Sequence, residues 1–237
     1  MVKVGSLIDL VYPRVCAGCN RPVYEESAHV CWDCMAGFEI IQEPFCSICG
    51  DPADGMVEHE YICSMCRGKS RFFDLARSAV RYRGSLRSVL HSFKYERATC
   101  LTYDFVPFLS ACVNTHYSDV NFDAVVCVPL YSKKERERTY NQSVLLAGSL
   151  AGSLGLPFFR RAISRIKDTR TQTDLSFSER CINVRRAFNT TAREWVEGRT
   201  VLLVDDVMTT GATVSACSRV LKEAGAAGVY VVTVARG

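Results

Sequence analysis

What this 237-residue sequence lacks narrows its possible roles first. No apolar run approaches the roughly 20 residues a membrane-spanning helix requires, so a bilayer span is not expected. The opening stretch MVKVGSLIDLVYP is interrupted by Asp9 and Pro13 and does not read as a secretory leader. A cytoplasmic protein with reduced thiols is therefore expected, and a disulfide framework is not. No Gly-Lys-Ser/Thr follows the strongest strand pattern, which excludes a P-loop nucleotide site there. Nor does one sign of charge dominate, since 29 Lys/Arg stand against 25 Asp/Glu. That near balance hides an asymmetry: residues 1–70 hold five Lys/Arg and ten Asp/Glu, whereas residues 71–237 hold 24 and 15. Duplex DNA is gripped by phosphate neutralisation, so the first segment is a poor DNA reader, and any polyanion contact should come from the second.

What is abundant is cysteine. Eight of the thirteen form four Cys-x-x-Cys pairs: Cys16/Cys19, Cys31/Cys34, Cys46/Cys49 and Cys63/Cys66. Two thiolates at that spacing grip one metal ion from a tight turn, and two such knuckles complete a tetrahedral site of four thiolates. Eight thiolates match two structural Zn²⁺ ions. Sequential pairing gives two successive zinc ribbons; pairing the first knuckle with the third remains an alternative. Iron–sulfur ligation is a weaker reading because the usual uneven spacings are missing. Cys100, Cys112, Cys127, Cys181 and Cys217 lie mostly in apolar patterns and read as small buried hydrophobes.

The stretch 201–213, VLLVDDVMTTGAT, carries the most chemistry. Val201 to Val204 form a continuous apolar run, as in a strand buried on both faces of a parallel sheet. Asp205 and Asp206 follow at the carboxyl end of that strand, where open α/β sheets bind ligands. Thr209, Thr210, Gly211, Ala212 and Thr213 then lead into a helical pattern of Val214, Cys217, Val220 and Leu221 that ends near Gly225. Small residues ahead of a helix let backbone N–H groups converge on an anion. Paired carboxylates repel a phosphate but suit vicinal hydroxyls or Mg²⁺. A sugar with a diol at one end and a phosphate at the other satisfies both halves.

The intervening chain completes an α/β domain. Leu86, Val89, Leu90 and Phe93 fall at helical spacing, with Arg83, Arg87 and Lys94 among the polar positions, so an amphipathic helix is expected to open the domain. FDAVVCVPL (122–130) reads as a buried strand, followed by a polar loop to Asn141 and a helix from about Ser143 to Leu154. Residues 229–235 add a further strand, and a parallel sheet with helices on both faces is expected. The segment 160–188 has eight Lys/Arg against three Asp/Glu and reads as a mobile flap over a polyanion or as a surface hairpin. The basic loop 130–141, with Lys133, Lys134, Arg136 and Arg138, is by itself more often a solvated charged turn than a site, although its position after a parallel strand favours a functional role.

Residues 201–213 resemble the phosphoribosyl pyrophosphate (PRPP) motif of type I phosphoribosyltransferases. The resemblance implies that Asp205 and Asp206 contact the ribose hydroxyls and that Thr209 to Thr213 wrap the 5′-phosphate. It also places a pyrophosphate loop at Pro129, Leu130, Tyr131 and Ser132, and a hood over the site near 160–188. Together with the cysteine knuckles, CVPLYSKKERERTYNQSVLLA (127–147) and RTQTDLSFSERCINVRRAF (170–188) resemble the ComF family. Its members join a zinc ribbon to a phosphoribosyltransferase-type domain, here 1–70 and 71–237. The family's Arg-Gly-Phe-Asn-Gln is replaced by Arg138-Thr139-Tyr140-Asn141-Gln142, and Thr for Gly reduces backbone freedom there.

Three readings remain open at this level. The first, which the ComF resemblance implies, is a protein of DNA uptake that binds PRPP or a related phosphoribosyl ligand and contacts single-stranded DNA or DNA-uptake proteins. The second is an active, Mg²⁺-PRPP-dependent phosphoribosyltransferase of nucleotide salvage, with Arg138, Lys167 and Arg170 as the cations that stabilise the leaving pyrophosphate. The third is a non-catalytic scaffold.

Overall fold

The computed structural model describes residues 14–23, 28–55, 57, 59–167 and 187–237. Its first part is two knuckle-built ribbons. In each, the first cysteine of the leading pair closes a tight hairpin: Cys16 N donates to Arg21 O (2.8 Å) and Cys46 N donates to Asp51 O (2.8 Å). The residue after the second cysteine takes the left-handed conformation in both, Asn20 at φ 59° and Gly50 at φ 66°. Gly50 has a second reason to be glycine, since a Cβ there would lie 2.9 Å from Ala76 O. A short helix, α1 (Trp32–Ala36), carries Cys34.

After the ribbons come β1 (Leu75–Arg81), α2 (Gly84–Tyr95), α3 (Leu101–His116), β2 (Ala124–Cys127), α4 (Ser132–Arg138) and α5 (Gln142–Leu154). Then follow β3 (Ser164–Arg165), β4 (Phe188–Asn189), α6 (Arg193–Val196), β5 (Thr200–Met208), α7 (Ala212–Glu223) and β6 (Gly228–Arg236). Four strands form one sheet in the order β1-β6-β5-β2, and all three pairings are parallel. β3 and β4 form a separate antiparallel pair that joins the two described ends of the basic 160–188 segment.

Alternation along β5 builds two cores, because successive side chains leave a strand on opposite faces. Leu202 and Val204 join α2, α3, α5 and the first ribbon's Cys16 and Cys34. Val201 and Leu203 join α7, β4 and the second ribbon's four cysteines. Both faces of the central strand are thus dry, which is why it reads as an unbroken apolar run. The apolar stripe Leu86, Val89, Leu90 and Phe93 is fully buried, as its spacing predicts.

Hydrogen bonds tie the ribbons to the sheet. Ile41 N donates to Ala79 O, Arg81 N to Glu39 O and Ala76 N to Ile48 O, all along β1. His29 reaches Asp104 on α3, with its Nδ1 2.9 Å from Oδ2 and its backbone N–H on Oδ1 at 3.3 Å.

Three local expectations change. The supposed polar loop 131–141 contains α4, a helix with no buried residue, so its polarity reflects an exposed helix rather than a loop. β5 continues to Met208, so the acidic pair lies within the strand, with Asp205 paired to Thr233 of β6. β1 precedes the helix expected to open the domain; its buried Arg77 and Ser78 break the apolar pattern that would have announced it.

Candidate functional site

The four knuckles pair sequentially. The sulfurs of Cys16, Cys19, Cys31 and Cys34 all lie within 4.8 Å of one another, as do those of Cys46, Cys49, Cys63 and Cys66. Cys19 and Cys31 are 3.7 Å apart at sulfur, and Cys49 and Cys63 are 3.6 Å apart. A tetrahedral zinc with Zn–S near 2.3 Å has a sulfur–sulfur edge of about 3.8 Å, so both tetrads fit a zinc ion, and the separations are far too long for disulfides. The twelve cysteines among the described residues are all free thiols. Backbone N–H groups of Gly18 (3.3 Å) and Cys31 (3.2 Å) point at the Cys16 sulfur, as thiolate ligands require. Arg21 Nε donates to Cys19 Sγ at 3.4 Å and draws that thiol down to about 6. The tetrads differ in exposure. The second is wholly buried, whereas in the first Cys19 is exposed and Cys31 half-buried. Of the remaining cysteines, Cys112, Cys127 and Cys217 are buried as expected and Cys100 is half-buried; Cys181 lies outside the described residues.

At the carboxyl end of the sheet, three elements meet on the acidic pair. Asp205 and Asp206 are each 9% exposed. Ser143 Oγ, in the first turn of α5, donates to Asp205 Oδ1 at 2.8 Å, and Asp206 N donates to the same oxygen at 2.9 Å. Burial, with the charge of Asp206 next, pushes the Asp205 carboxyl up to about 7 against those hydrogen bonds. Asp206 accepts from Val207 N (2.7 Å) and forms an ion pair with Lys94 Nζ (3.1 Å) at the end of α2. Burial draws the Lys94 pKa down, but Asp206 outweighs it and the net shift is upward. Lys94 is a site residue the sequence reading missed; it appeared there as one polar position of an amphipathic helix.

The following turn leads directly into a helix start. Gly211 is the N-cap of α7 at φ 72°, a conformation that favours glycine, and Ala212 N is 3.4 Å from Thr210 Oγ1. Thr209 is exposed, Thr210, Ala212 and Thr213 are half-buried, and Gly211 is buried. A 12-residue helix starting here directs its unpaired N–H groups and positive dipole end at this turn.

Leu130 and Tyr131 are half-buried in the connection from β2 to α4, and Ser132, the first residue of α4, is exposed. α4 ends at Thr139, left-handed at φ 70°, where a β-branched residue is strained. Asn141 caps α5, accepting from Ser143 N (2.9 Å) while its Nδ2 donates to Val128 O (3.1 Å). Gln142 Nε2 donates to Lys94 O (3.3 Å), and the Tyr140 hydroxyl donates to Phe93 O. These bonds pin the end of α2, and so Lys94, beside β5. Arg138 Nη1 donates to Gln142 Oε1 (3.2 Å), and its guanidinium lies 4.8 Å over the Tyr95 ring. Lys94, Tyr95, Arg97, Lys134, Glu137 and Arg138 line a cleft of about 340 Å³ with four cations and one carboxylate. Lys167 is exposed beyond β3, and Arg170 lies outside the described residues.

No helix among the described residues is long and apolar enough to cross a membrane. The double zinc ribbon domain family matches residues 7–67 and the phosphoribosyl transferase domain family matches residues 140–237. Three curated relatives align along most of the chain. Competence protein F of Haemophilus influenzae is 28% identical over 93% of this chain and 96% of its own. The DNA utilization protein YhgH of Salmonella typhimurium is 30% identical over 94% and 96%. Competence protein ComFC of Bacillus subtilis is 28% identical over 84% and 80%.

Proposed function

The chain belongs to the ComF family of competence and DNA-utilisation proteins, and on that premise we propose that it acts in the cytoplasm in the uptake or use of DNA through a PRPP-type ligand site. The observation that carries the reading is the buried pair Asp205 and Asp206 on β5, followed directly by a glycine-capped helix start. A carboxylate pair accepts hydrogen bonds from a ribose diol, and a helix N-terminus binds the 5′-phosphate. In this reading Asp205 and Asp206 hold the sugar, and Thr209 to Thr213 hold the 5′-phosphate. The diphosphate faces Leu130, Tyr131 and Ser132 and the cations of the adjoining cleft. Residues 1–70 serve as a metal-stabilised docking module, and 71–237 as the ligand-binding domain.

Mg²⁺ fits this arrangement as a companion of the ligand, because the pair offers carboxylate oxygens beside the cationic cleft. When bound, it neutralises diphosphate charge. The protein's own contribution is orientation and charge. Ser143 and the Asp206 amide fix Asp205, Lys94 fixes Asp206, and Arg138 presents a guanidinium to departing pyrophosphate. The four cations of that cleft favour a second reading, a transferase in which a nitrogen of an acceptor base attacks C1 of the ribose. The C1–O bond then breaks with its electron pair leaving on pyrophosphate, and Lys167 and Arg170 join Arg138 as cations.

Calorimetric titration of the metal-replete protein with PRPP and Mg²⁺, beside the Asp205→Asn/Asp206→Asn variant, tests the site. Saturable binding that the variant lacks supports it; heats equal in both proteins refute it. Salt-sensitive binding of single-stranded DNA, lost on neutralising Arg160, Arg161, Arg165, Lys167 and Arg170, tests the DNA contact. Base-dependent pyrophosphate release tests turnover.

A further inference from the structure

The two tetrads are not equivalent with respect to the ligand loop. The second shares a core with Met208, Val214 and Cys217, on either side of that loop, whereas Cys16 and Cys34 of the first sit in the opposite core with α2 and α3. Between the second tetrad and the loop stands Arg236, the last residue of β6, 5% exposed. Its Nη2 is 3.0 Å from Asp51 Oδ1 and 3.9 Å from the Cys49 sulfur, both in the second ribbon. Its Nη1 donates to Met208 O (3.1 Å), Gly237 O (2.6 Å) and Thr209 O. One guanidinium therefore grips a metal-ligand knuckle on one side and the loop backbone on the other.

Peptide planarity gives that grip a direction. In a trans peptide the carbonyl and the next residue's N–H point to opposite sides. Holding the oxygens of Met208 and Thr209 on Arg236 therefore turns the N–H groups of Thr209 and Thr210 away from the ribbon, toward the side where an anion would sit. A second strut runs parallel to this one. Arg71 Nη2 donates to Met65 O in the ribbon (2.8 Å), a Cβ on Gly211 would lie 3.7 Å from its Nη1, and Phe72 N donates to Ser215 Oγ (3.4 Å). Nothing of this kind joins the first tetrad to the loop among the described residues; its links are to α2 and α3.

We infer that Arg236 is a positioning residue through which the second cysteine tetrad, and not the first, sets the conformation of the 208–211 turn and hence its affinity for a phosphorylated sugar. The inference rests on the phosphate-binding role proposed for that turn. Metal in the second tetrad holds the Cys46–Asp51 knuckle closed, the knuckle holds Arg236, and Arg236 holds the loop carbonyls. A thiolate tetrad around Zn²⁺ also keeps net negative charge beside the guanidinium.

The test uses the full-length, metal-replete protein and the variants Asp51→Asn, Arg236→Met and their double. Asp51 is surface-accessible enough to accept Asn, which keeps a fold-competent variant available if Arg236→Met fails to fold. Amide hydrogen exchange of peptides covering 206–215, without ligand, reads the loop directly. Asp51→Asn is expected to speed exchange at 209–213 about tenfold, with PRPP binding weakened by a similar factor and the double variant no worse than Arg236→Met. Asp33→Asn, the matching charge change in the first ribbon's Arg21–Asp33 pair, is expected to leave 209–213 unchanged. Wild-type exchange in Asp51→Asn, or equal acceleration by Asp33→Asn, overturns the inference. Failure of the wild-type protein to bind PRPP overturns the ligand assignment instead, and the exchange result still judges the strut.

Discussion

Asp205 carries an energetic penalty that can be measured without any ligand. Its carboxyl is raised from the ordinary 3.8 to about 7, chiefly by burial and then by Asp206. Because the folded value lies above the unfolded one, the native state favours the protonated form. Stability present below about pH 4 is lost as pH rises through about 7. Three pH units at about 1.4 kcal/mol each set a ceiling of roughly 4 kcal/mol, and relaxation around a buried charge brings the expected effect to about 2 kcal/mol. Asp205→Asn removes the charge while its side-chain oxygen still accepts from Ser143 Oγ and Asp206 N. The variant should therefore melt about 4–8 °C above wild type at pH 8 and close to it at pH 4.5, in scans of the metal-replete protein. The same substitution should abolish PRPP binding, so stability and function move in opposite directions, as expected of a strained ligand site. A melting difference independent of pH, or an Asn variant less stable than wild type at pH 8, would refute the assignment of the penalty to this carboxylate.

Other expectations follow from the same geometry. Thr139→Gly relieves a left-handed β-branched residue and should stabilise the protein by about 1 kcal/mol in urea titrations; no gain would mean that the turn is not strained. Lys94→Met leaves Asp206 without its 3.1 Å partner and should cost about 1–3 kcal/mol of stability and at least about tenfold in PRPP affinity. Unchanged titrations would remove Lys94 from the site. Metal analysis should give two zinc ions per chain, and a value of one or none would refute the double-ribbon occupancy.

The parts of the fold and site that could be read from the sequence are those encoded within one element. β5 announces itself through four apolar residues, and the Cys-x-x-Cys spacing forces knuckles wherever the chain places them. Sequential pairing became clear only once each knuckle had a partner within reach. Residues that act across elements gave no such signal. Lys94 lies 112 positions before its partner Asp206, and the packing of α2, with Tyr140 and Gln142 docked on its end, brings the two together. Arg236 lies just past the strand expected at 229–235 and belongs to no motif, although it reaches a ribbon 185 residues earlier. β1 was hidden because Arg77 is buried by stacking over Phe45 at 4.7 Å and by donating to Ser47 O and Ala76 O, so a charged residue occupies a core position. α4 was hidden for the opposite reason, because a helix that buries nothing has no apolar stripe to betray it.

The hydrogen bonds between β1 and Glu39, Ile41 and Ile48 have one more consequence. β1 is the outermost strand of its sheet, and an uncovered outer strand offers a row of unpaired N–H and C=O groups to any other chain. The segment joining the two ribbons covers that row, with Ile40 bridging antiparallel to Val80. The segment that links the two cysteine tetrads thus also keeps the sheet from adding strands at β1. Loss of metal in the ribbons would open not only the tetrads but also a template for self-association, so aggregation is the failure to expect from oxidised or chelated protein.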